Sequence, residues 1–521
     1  MSAKSMNVAW WVERWATLYP NKPALIFEDK RLTYSGLHRS ACRTAGWLDD
    51  HGVGKGDRVV VFLDNCLEFM EVYIACARTG AIFVPINFRL APPELEYILR
   101  NSRPSLLVFS APFVETVRAV GLDRFRPPLL AAQVGTGEGL EGALDYAEET
   151  KSYDGESPYV TGALGVSDPE EPQVIMYTSG TTGHPKGAVL TYRKTFFNCL
   201  NADIFFNLSH DDVMLVVLPL FHSGGLFVQT SPVLYKGASV VLLRRFDPER
   251  TLQAVEQHRV TKFLGVPTMF RELTRLDPAA HPDLSSLEVS TIGGERVTPE
   301  LIEKCNSSGF KVRQLFGQTE TSILLWASEE ESLIRHGTAG RPVFHAEVEV
   351  VDASGVPVPR GQVGEIAVRG SILMKEYWRD PEETQRTIRG DWLYTGDLAK
   401  QDEEGYFYLV DRARDMYVSG GENVYPAEIE RVLRTHEAIE DVAVVGVPDE
   451  KWGEVGHCFV IPNPGKELTE QDVLDHCRQR LAGYKVPKRV IFRRDFPRTP
   501  LGKCRKFLLR KELLEGEGTL R

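Results

Sequence analysis

The chain predicts an α/β protein carrying a second, smaller α+β domain at its C-terminal end. Three observations predict this. Short apolar runs alternate with amphipathic stretches up to about residue 340, the β-α-β rhythm of a parallel sheet with crossover helices. After about Val343 the pattern becomes the apolar/polar alternation of antiparallel strands. Beyond Asp411-Arg-Ala-Arg-Asp415 lies a compact stretch of about a hundred residues, the size of a small separate domain. The domains are therefore read as 1–413 and 414–521 of the 521 residues.

The elements follow in order. Val8, Trp11, Val12 and Trp15 recur at helical spacing, a stripe facing a core rather than a membrane surface. Ala24–Tyr34 reads as two short strands around a charged turn. Tyr34–Asp50 has Leu37, Ala41, Ala45 and Leu48 on one helical face. Arg58–Leu63 is a strand covered on both sides. A helix over Glu68–Thr79 and the run Ala81–Ile86 follow. The rhythm repeats at Leu106–Phe109, Val174–Tyr177, Val213–Leu218, Ser239–Leu243 and Lys262–Val266. Gly135–Pro172, rich in Gly, Asp and Glu, is expected to be loop. Glu347–Val351 and Gly364–Arg369 alternate as antiparallel strands around a Gly/Pro turn. The last domain reads as helix Pro426–Thr435, strands Val442–Val447 and His457–Pro462, helix Glu470–Leu481 and strand Val490–Phe492.

Composition excludes several classes. Hydrophobic residues at 43% and charged residues at 26% are ordinary for a soluble globular chain. A formal charge of −11 argues against a nucleic-acid partner. The 8 cysteines are scattered without a C-x-x-C pair, so neither zinc nor a disulfide framework is indicated and a reducing cytoplasm fits. There is no signal-peptide core and no apolar run long enough to span a bilayer.

The chemistry centres on Tyr177-Thr-Ser-Gly-Thr-Thr-Gly-His-Pro-Lys-Gly187, which follows the apolar Val174–Tyr177. Gly180, Gly183 and Gly187 let backbone approach a ligand closely, and exposed N–H groups in such a turn make an anion cradle. Thr178, Ser179, Thr181 and Thr182 add hydroxyls, and Lys186 adds charge. The loop suits a polyphosphate. It is not a Walker A loop, which needs G-x-x-x-x-G-K-[ST].

This segment resembles the phosphate-loop signature of the adenylate-forming superfamily, which includes acyl-CoA synthetases, luciferases and peptide-synthetase adenylation domains. The similarity runs from about Asn21 to about Lys511. It implies a large N-terminal domain of parallel and mixed sheets with flanking helices plus a distorted β-barrel, and a small mobile α+β C-terminal domain. It implies ATP, Mg²⁺ and CoA as cofactor and co-substrates. In Gln314-Leu-Phe-Gly-Gln-Thr-Glu320 the resemblance puts Phe316 against adenine, with Gly317 and Gln318 beside the nucleotide, Thr319 on the α-phosphate and Glu320 on Mg²⁺. Acetate-specific relatives have tryptophan at Gly317, so a larger acid is expected. In Ile292-Gly-Gly-Glu-Arg-Val297, Gly294 and Glu295 lie on the adenine side, although relatives usually carry a small residue at Glu295. In Tyr394-Thr-Gly-Asp-Leu398, Asp397 takes both ribose hydroxyls, and Arg412 adds a contact. His222 of Leu218-Pro-Leu-Phe-His-Ser-Gly-Gly225 would stand between the acyl site and the thiol tunnel, though a lone histidine is as readily structural. Amino-acid-activating relatives have aspartate there, so an amino-acid substrate is not expected. Gly420, Gly421 and Glu422 would shape the CoA tunnel, Arg414 is the hinge, and Lys503 of Pro500-Leu-Gly-Lys503 reaches the α-phosphate during adenylation.

The expected activity is an AMP-forming acyl-CoA ligase for a medium- or long-chain fatty acid, with Lys503, Lys186, Glu320 and His222 as its catalytic set. An aromatic or alicyclic acid, or delivery of acyl-AMP to a carrier protein, are the alternatives. A weak peripheral membrane contact and a homodimer are both compatible with the sequence.

Overall fold

The computed structural model describes residues 3–126, 128–153, 164–178, 184–276, 282–294, 297, 299–412, 416–497, 504 and 506–516. The chain divides into two compact units: residues 1–88, 99–177 and 187–411, and residues 89–98, 178–186 and 412–521. The expected boundary at 413/414 falls on residues outside the description.

The first unit holds two large sheets. In spatial order, one runs Arg341–Pro342, Ser322–Ala327, Val312–Gln318, Val289–Gly293, Lys262–Gly265, Val213–Val216, Ser239–Leu242, Pro23–Phe27 and Lys30–Thr33. Its middle strands are parallel and both ends turn antiparallel. The other runs Glu376–Tyr377, Lys186–Thr191, Pro172–Thr178, Ile82–Pro85, Arg58–Phe62, Leu106–Ser110, Leu130–Val134 and Leu144–Asp145. Val59, Val60, Val61 and Phe62 are all fully buried, as an apolar run covered on both faces requires. A third, antiparallel sheet is built from Glu347–Val351, Val363–Arg369, Trp392–Gln401, Ile388–Arg389 and Phe407–Arg412. It accounts for the alternating texture after Val343.

Helices close the sheet faces for local reasons. Asn7 caps Val8–Leu18 by accepting from the Ala9 amide at 2.8 Å, and Val8, Trp11 and Val12 are buried. Thr33 caps Tyr34–Asp50 in the same way, and Leu37, Ala41, Ala45 and Leu48 face the core. One expectation is corrected. Gly135–Pro172 is not loop throughout: Leu144–Asp145 is an edge strand and Tyr146–Lys151 a helix capped by Asp145. Tyr146 anchors this helix through hydroxyl contacts with Thr44 at 2.8 Å and Glu71 at 3.1 Å.

The second unit is built on Glu422–Val424, Tyr417–Ser419, Gly453–Pro462 and Ile439–Asp449, with Arg489–Phe492 parallel to Gly453–Pro462. Along Ile439–Asp449 the side chains alternate. Val442 and Val444 pack with Ile429 and Leu433, while Ala443, Val445 and Val447 pack with Phe496 and Leu509. The sheet is thus covered on both faces. Gly456 has no room for a side chain, since a Cβ there would lie 2.2 Å from the Tyr417 hydroxyl oxygen.

Candidate functional site

The densest cluster of expected site residues sits on one hairpin of the first unit. Val312–Gln318 and Ser322–Ala327 pair antiparallel with Gln318 opposite Ser322, leaving a three-residue loop of Thr319, Glu320 and Thr321. The Thr321 amide donates back to Gln318 O at 3.1 Å, and Ser322 takes a φ of 59°, the turn-then-left-handed pattern of such loops. A left-handed serine is uncommon and marks a conformation held by its surroundings. Glu320 is buried in this tight turn, and its Oε1 accepts from the Tyr377 hydroxyl at 2.7 Å. The Tyr377 segment is itself pinned: Met374 N donates to Glu320 O (2.7 Å), Lys375 N to Val189 O (2.8 Å) and Trp378 N to Gly187 O (2.7 Å).

Gly317 has a structural reason besides the one read from sequence. A Cβ there would stand 1.9 Å from Ser322 O, because the pairing shifts register between Phe316 and Gly317. Any side chain, tryptophan included, requires the partner strand to move. Phe316 is half-buried one position earlier. Gly293 pairs with Leu315, so Gly294 (φ +86°) and Phe316 lie at the C-terminal ends of adjacent parallel strands. That edge is where open α/β sheets bind ligands. Asp397 lies in a bulge: Glu365 pairs with Leu398 but Ala367 with Tyr394, which lifts Thr395–Asp397 out of the ladder. The Asp397 amide donates to Thr395 Oγ1 (3.2 Å), and Gln318 Nε2 reaches Thr395 O at 3.5 Å, tying the Asp397 bulge to the Glu320 hairpin.

His222 follows the parallel strand Val213–Val216 at the same sheet edge. Asn65, fully inside the protein, fixes its loop by donating to Leu218 O (3.1 Å) and Leu243 O (3.0 Å) and accepting from Leu220 N (2.9 Å). His222 is half-buried against Phe221 (centroids 4.6 Å). Phe221 meets Phe88 edge-on at 5.5 Å, and Phe88 stacks on Phe113 at 5.3 Å. An aromatic cluster therefore adjoins the histidine.

In the second unit, Thr178 donates from Oγ1 to Lys186 O (3.4 Å), and Lys186 is buried. Gly420 (φ +59°) and Gly421 (φ +82°) make the two-residue turn between Tyr417–Ser419 and Glu422–Val424, the twist-matched turn that needs two left-handed residues. Glu422 is buried and accepts from Arg89 Nη1 at 2.5 Å. Ser179, Gly180, Thr181, Thr182, Gly183, Glu295, Arg414 and Lys503 lie outside the described residues, as does the side chain of Arg412 at the end of Phe407–Arg412.

The structure adds residues the sequence reading did not single out. Tyr377 orients Glu320 from 57 positions away. Asn65 shapes the His222 loop. Lys194, on the buried face of helix Tyr192–Phe206, donates to Ser322 Oγ at 2.5 Å, and its pKa is lowered to about 7 by burial, against the pull of Glu320. A charged residue on an otherwise buried helix face is the signal that could have found it. Among the described residues no group of carboxylates, histidines and cysteines is arranged to hold a metal by itself. No helix of the described residues is long and apolar enough to cross a membrane.

Comparison with known proteins adds the following. Residues 12–378 match the family described as AMP-binding enzyme, and residues 428–503 the AMP-binding enzyme C-terminal domain. The chain is 40% identical to a feruloyl-CoA synthase of Amycolatopsis sp, over 98% of this chain and 99% of that protein. It is 38% identical to an indoleacetate–CoA ligase of Aromatoleum aromaticum, over 96% of this chain and 97% of the other. Among solved structures, an o-succinylbenzoate CoA synthetase of Bacillus subtilis bound with a product analogue superposes with a TM-score of 0.85 at 30% identity, covering 96% of this chain and 98% of that one.

Proposed function

The chain belongs to the AMP-binding enzyme family and is an AMP-forming acid–CoA ligase, and on that premise we propose that its carboxylic acid is aromatic, of the arylacrylate or arylacetate kind. The observation that carries this reading is the end-to-end similarity, at 40% identity, to a protein named for feruloyl-CoA synthesis. The phenylalanine cluster of Phe88, Phe113 and Phe221 beside His222 supports it, since flat apolar walls favour a planar ring. The medium- or long-chain fatty acid expected from sequence becomes the second reading.

A carboxylate oxygen would attack the α-phosphorus of ATP and displace pyrophosphate. The CoA thiolate would then attack the acyl carbon and displace AMP. In the first step Phe316 and Gly294 would face adenine, Asp397 the ribose, and Thr178, Lys186 and Lys503 the phosphates. Glu320 fits a magnesium site: it is a hard oxygen donor, Tyr377 holds one of its oxygens, and the other makes no hydrogen bond among the described residues. Mg²⁺ there would neutralise charge on the phosphate oxygens. Arg414 would act as the hinge and Gly420, Gly421 and Glu422 as the thiol path in the second step. Lys503→Ala should abolish adenylate formation and spare thioester formation from supplied acyl-AMP; equal loss of both would remove Lys503 from this role. Arg414→Pro should slow the second step more than the first.

The substrate class is tested by pyrophosphate release and thioester formation with ATP, Mg²⁺ and CoA across ferulate, cinnamate, indoleacetate, benzoate, octanoate and palmitate. An aryl acid should lead in kcat/KM by at least tenfold. A fatty acid in the lead would overturn the reading.

A further inference from the structure

Helix Tyr192–Phe206 turns an unusually polar face inward. Lys194, Thr195, Asn198 and Asn201 are each no more than 2% exposed. Two of these, Thr195 and Asn198, are fully partnered within the protein, and Asn201 is partnered at its oxygen. Thr195 donates to Gln173 Oε1 (2.6 Å). Asn198 donates to Phe227 O (2.6 Å) and accepts from Ile323 N (3.3 Å). Asn201 accepts from His345 N (3.0 Å), while its buried Nδ2 has no partner among the described residues. Lys194 is not explained in this way. Its Nζ has three N–H donors, and the structure gives it one acceptor, Ser322 Oγ, and no ion pair among the described residues. The Phe227 ring centroid lies 5.9 Å from it. An ammonium with two unmatched donors inside a protein is a costly arrangement.

Its position says what could match them. Lys194 precedes Asn198 by one helical turn, so both reach the same seam. Asn198 stitches that seam together, joining the π-helical segment Gly224–Thr230 that follows His222 to the strand Ser322–Ala327 that follows Glu320. Ser223, next to His222, also has a buried hydroxyl with no partner. Ser322 is held left-handed with its hydroxyl toward Lys194. Buried polar atoms left unmatched in this way suit an oxygen-bearing ligand.

We propose that Lys194, with Ser322 beside it, is the specificity-determining donor that recognises an oxygen substituent on the ring of the acid. The proposal rests on the reading of the acid as aromatic. A phenolic or methoxy oxygen would supply the missing acceptor. Without such an oxygen the ammonium stays under-coordinated, and burial holds its proton loosely.

The test compares 4-hydroxycinnamate with cinnamate by kcat/KM in wild type, Lys194→Met and Lys194→Gln, with thermal midpoints recorded for each. Wild type should favour the hydroxylated acid by about 10- to 100-fold, the range expected for a hydrogen bond to a charged donor. Lys194→Met should erase that ratio chiefly by lowering the hydroxylated acid's value, with cinnamate kept within about threefold. Lys194→Gln should retain part of the ratio; it carries the test alone should the Met variant not fold. General structural damage would lower both acids together and leave the ratio standing, and so would a buried water on the ammonium; either result overturns the proposal. Wild type that uses aryl acids without preference for the oxygen also overturns it, leaving the aromatic reading intact. Wild type that takes only fatty acids overturns both.

Discussion

Two lysines, one in each unit, are buried to the same degree and solve the problem of a buried charge in opposite ways. Lys485, 2% exposed, sits between Glu94 Oε1 at 2.5 Å and Glu428 Oε1 at 2.8 Å. Glu94 is in turn held by the amides of Ala91 (2.8 Å) and Ala482 (3.0 Å). Its flanking carboxylates outweigh burial and hold this ammonium's pKa well above the usual lysine range. Lys194, 1% exposed, has a hydroxyl, a distant ring and only the longer-range pull of Glu320, and burial lowers its pKa to about 7. The second unit's lysine is matched by two carboxylates. The first unit's is not. Burial alone does not distinguish a structural charge from a functional one; the inventory of its partners does.

The largest effect should come from breaking the charge-paired cluster. Lys485→Met would leave two buried carboxylates without their cation and should cost about 3–5 kcal/mol in the unfolding of the second unit. Urea unfolding monitored by a probe in that unit measures it, and a loss below about 1 kcal/mol would show the cluster to be ornamental. Glu428→Gln should act next and in a pH-dependent way. Burial pushes the Glu428 carboxyl from 4.5 up to about 7, with Glu94 adding to the rise and Lys485 opposing it. The folded state therefore holds a proton that the unfolded chain has released, so this contribution to stability is full below about pH 4.5 and is lost as pH rises through about 7. The Gln variant keeps the neutral form. Its stability should exceed wild type by about 1–3 kcal/mol at pH 8 relative to the difference at pH 4. A parallel pH dependence in both proteins would assign the titration elsewhere.

How far each region could be read from sequence follows from the same contrast. Arg58–Phe62, Tyr34–Asp50 and Glu347–Val351 were legible because burial and periodicity agree: apolar residues fall where the core needs them. The paired glycines Gly420 and Gly421 announced their turn because few other residues accept two left-handed positions. Helix Tyr192–Phe206 was not legible. Its inward face carries Lys194, Thr195, Asn198 and Asn201, and their partners lie on Gln173, Phe227 and Ser322, far away in sequence. Tyr146–Lys151 hid in an acidic, glycine-rich stretch, although Asp145 three residues before Glu148 was a usable cap signal. At the site, Glu320 was found from its motif. Tyr377, which orients it, has no local signature, because that pairing is made only when Met374–Trp378 docks along the strand Lys186–Thr191.

The smallest effects lie at Lys194, and they cut between the two lysines most cleanly. Ser322→Ala removes the ammonium's one hydrogen-bond acceptor without relieving the charge, so stability should fall by about 1–2 kcal/mol. Lys194→Met removes the charge itself. A methionine of similar length can fill the space beside Phe227, and no carboxylate is left stranded in contact. Replacing a poorly partnered buried ion by an apolar isostere is close to neutral, so the change should stay within about 1 kcal/mol of wild type and can favour the variant. Chemical denaturation of the two single variants and the Lys194→Met, Ser322→Ala double variant settles the matter. In the double variant the Ser322→Ala cost should vanish, because that cost exists only while the ammonium is there to be deprived. If Lys194→Met instead costs as much as Lys485→Met, the ammonium is holding the hairpin together, and the contrast between the two lysines collapses into a single structural role.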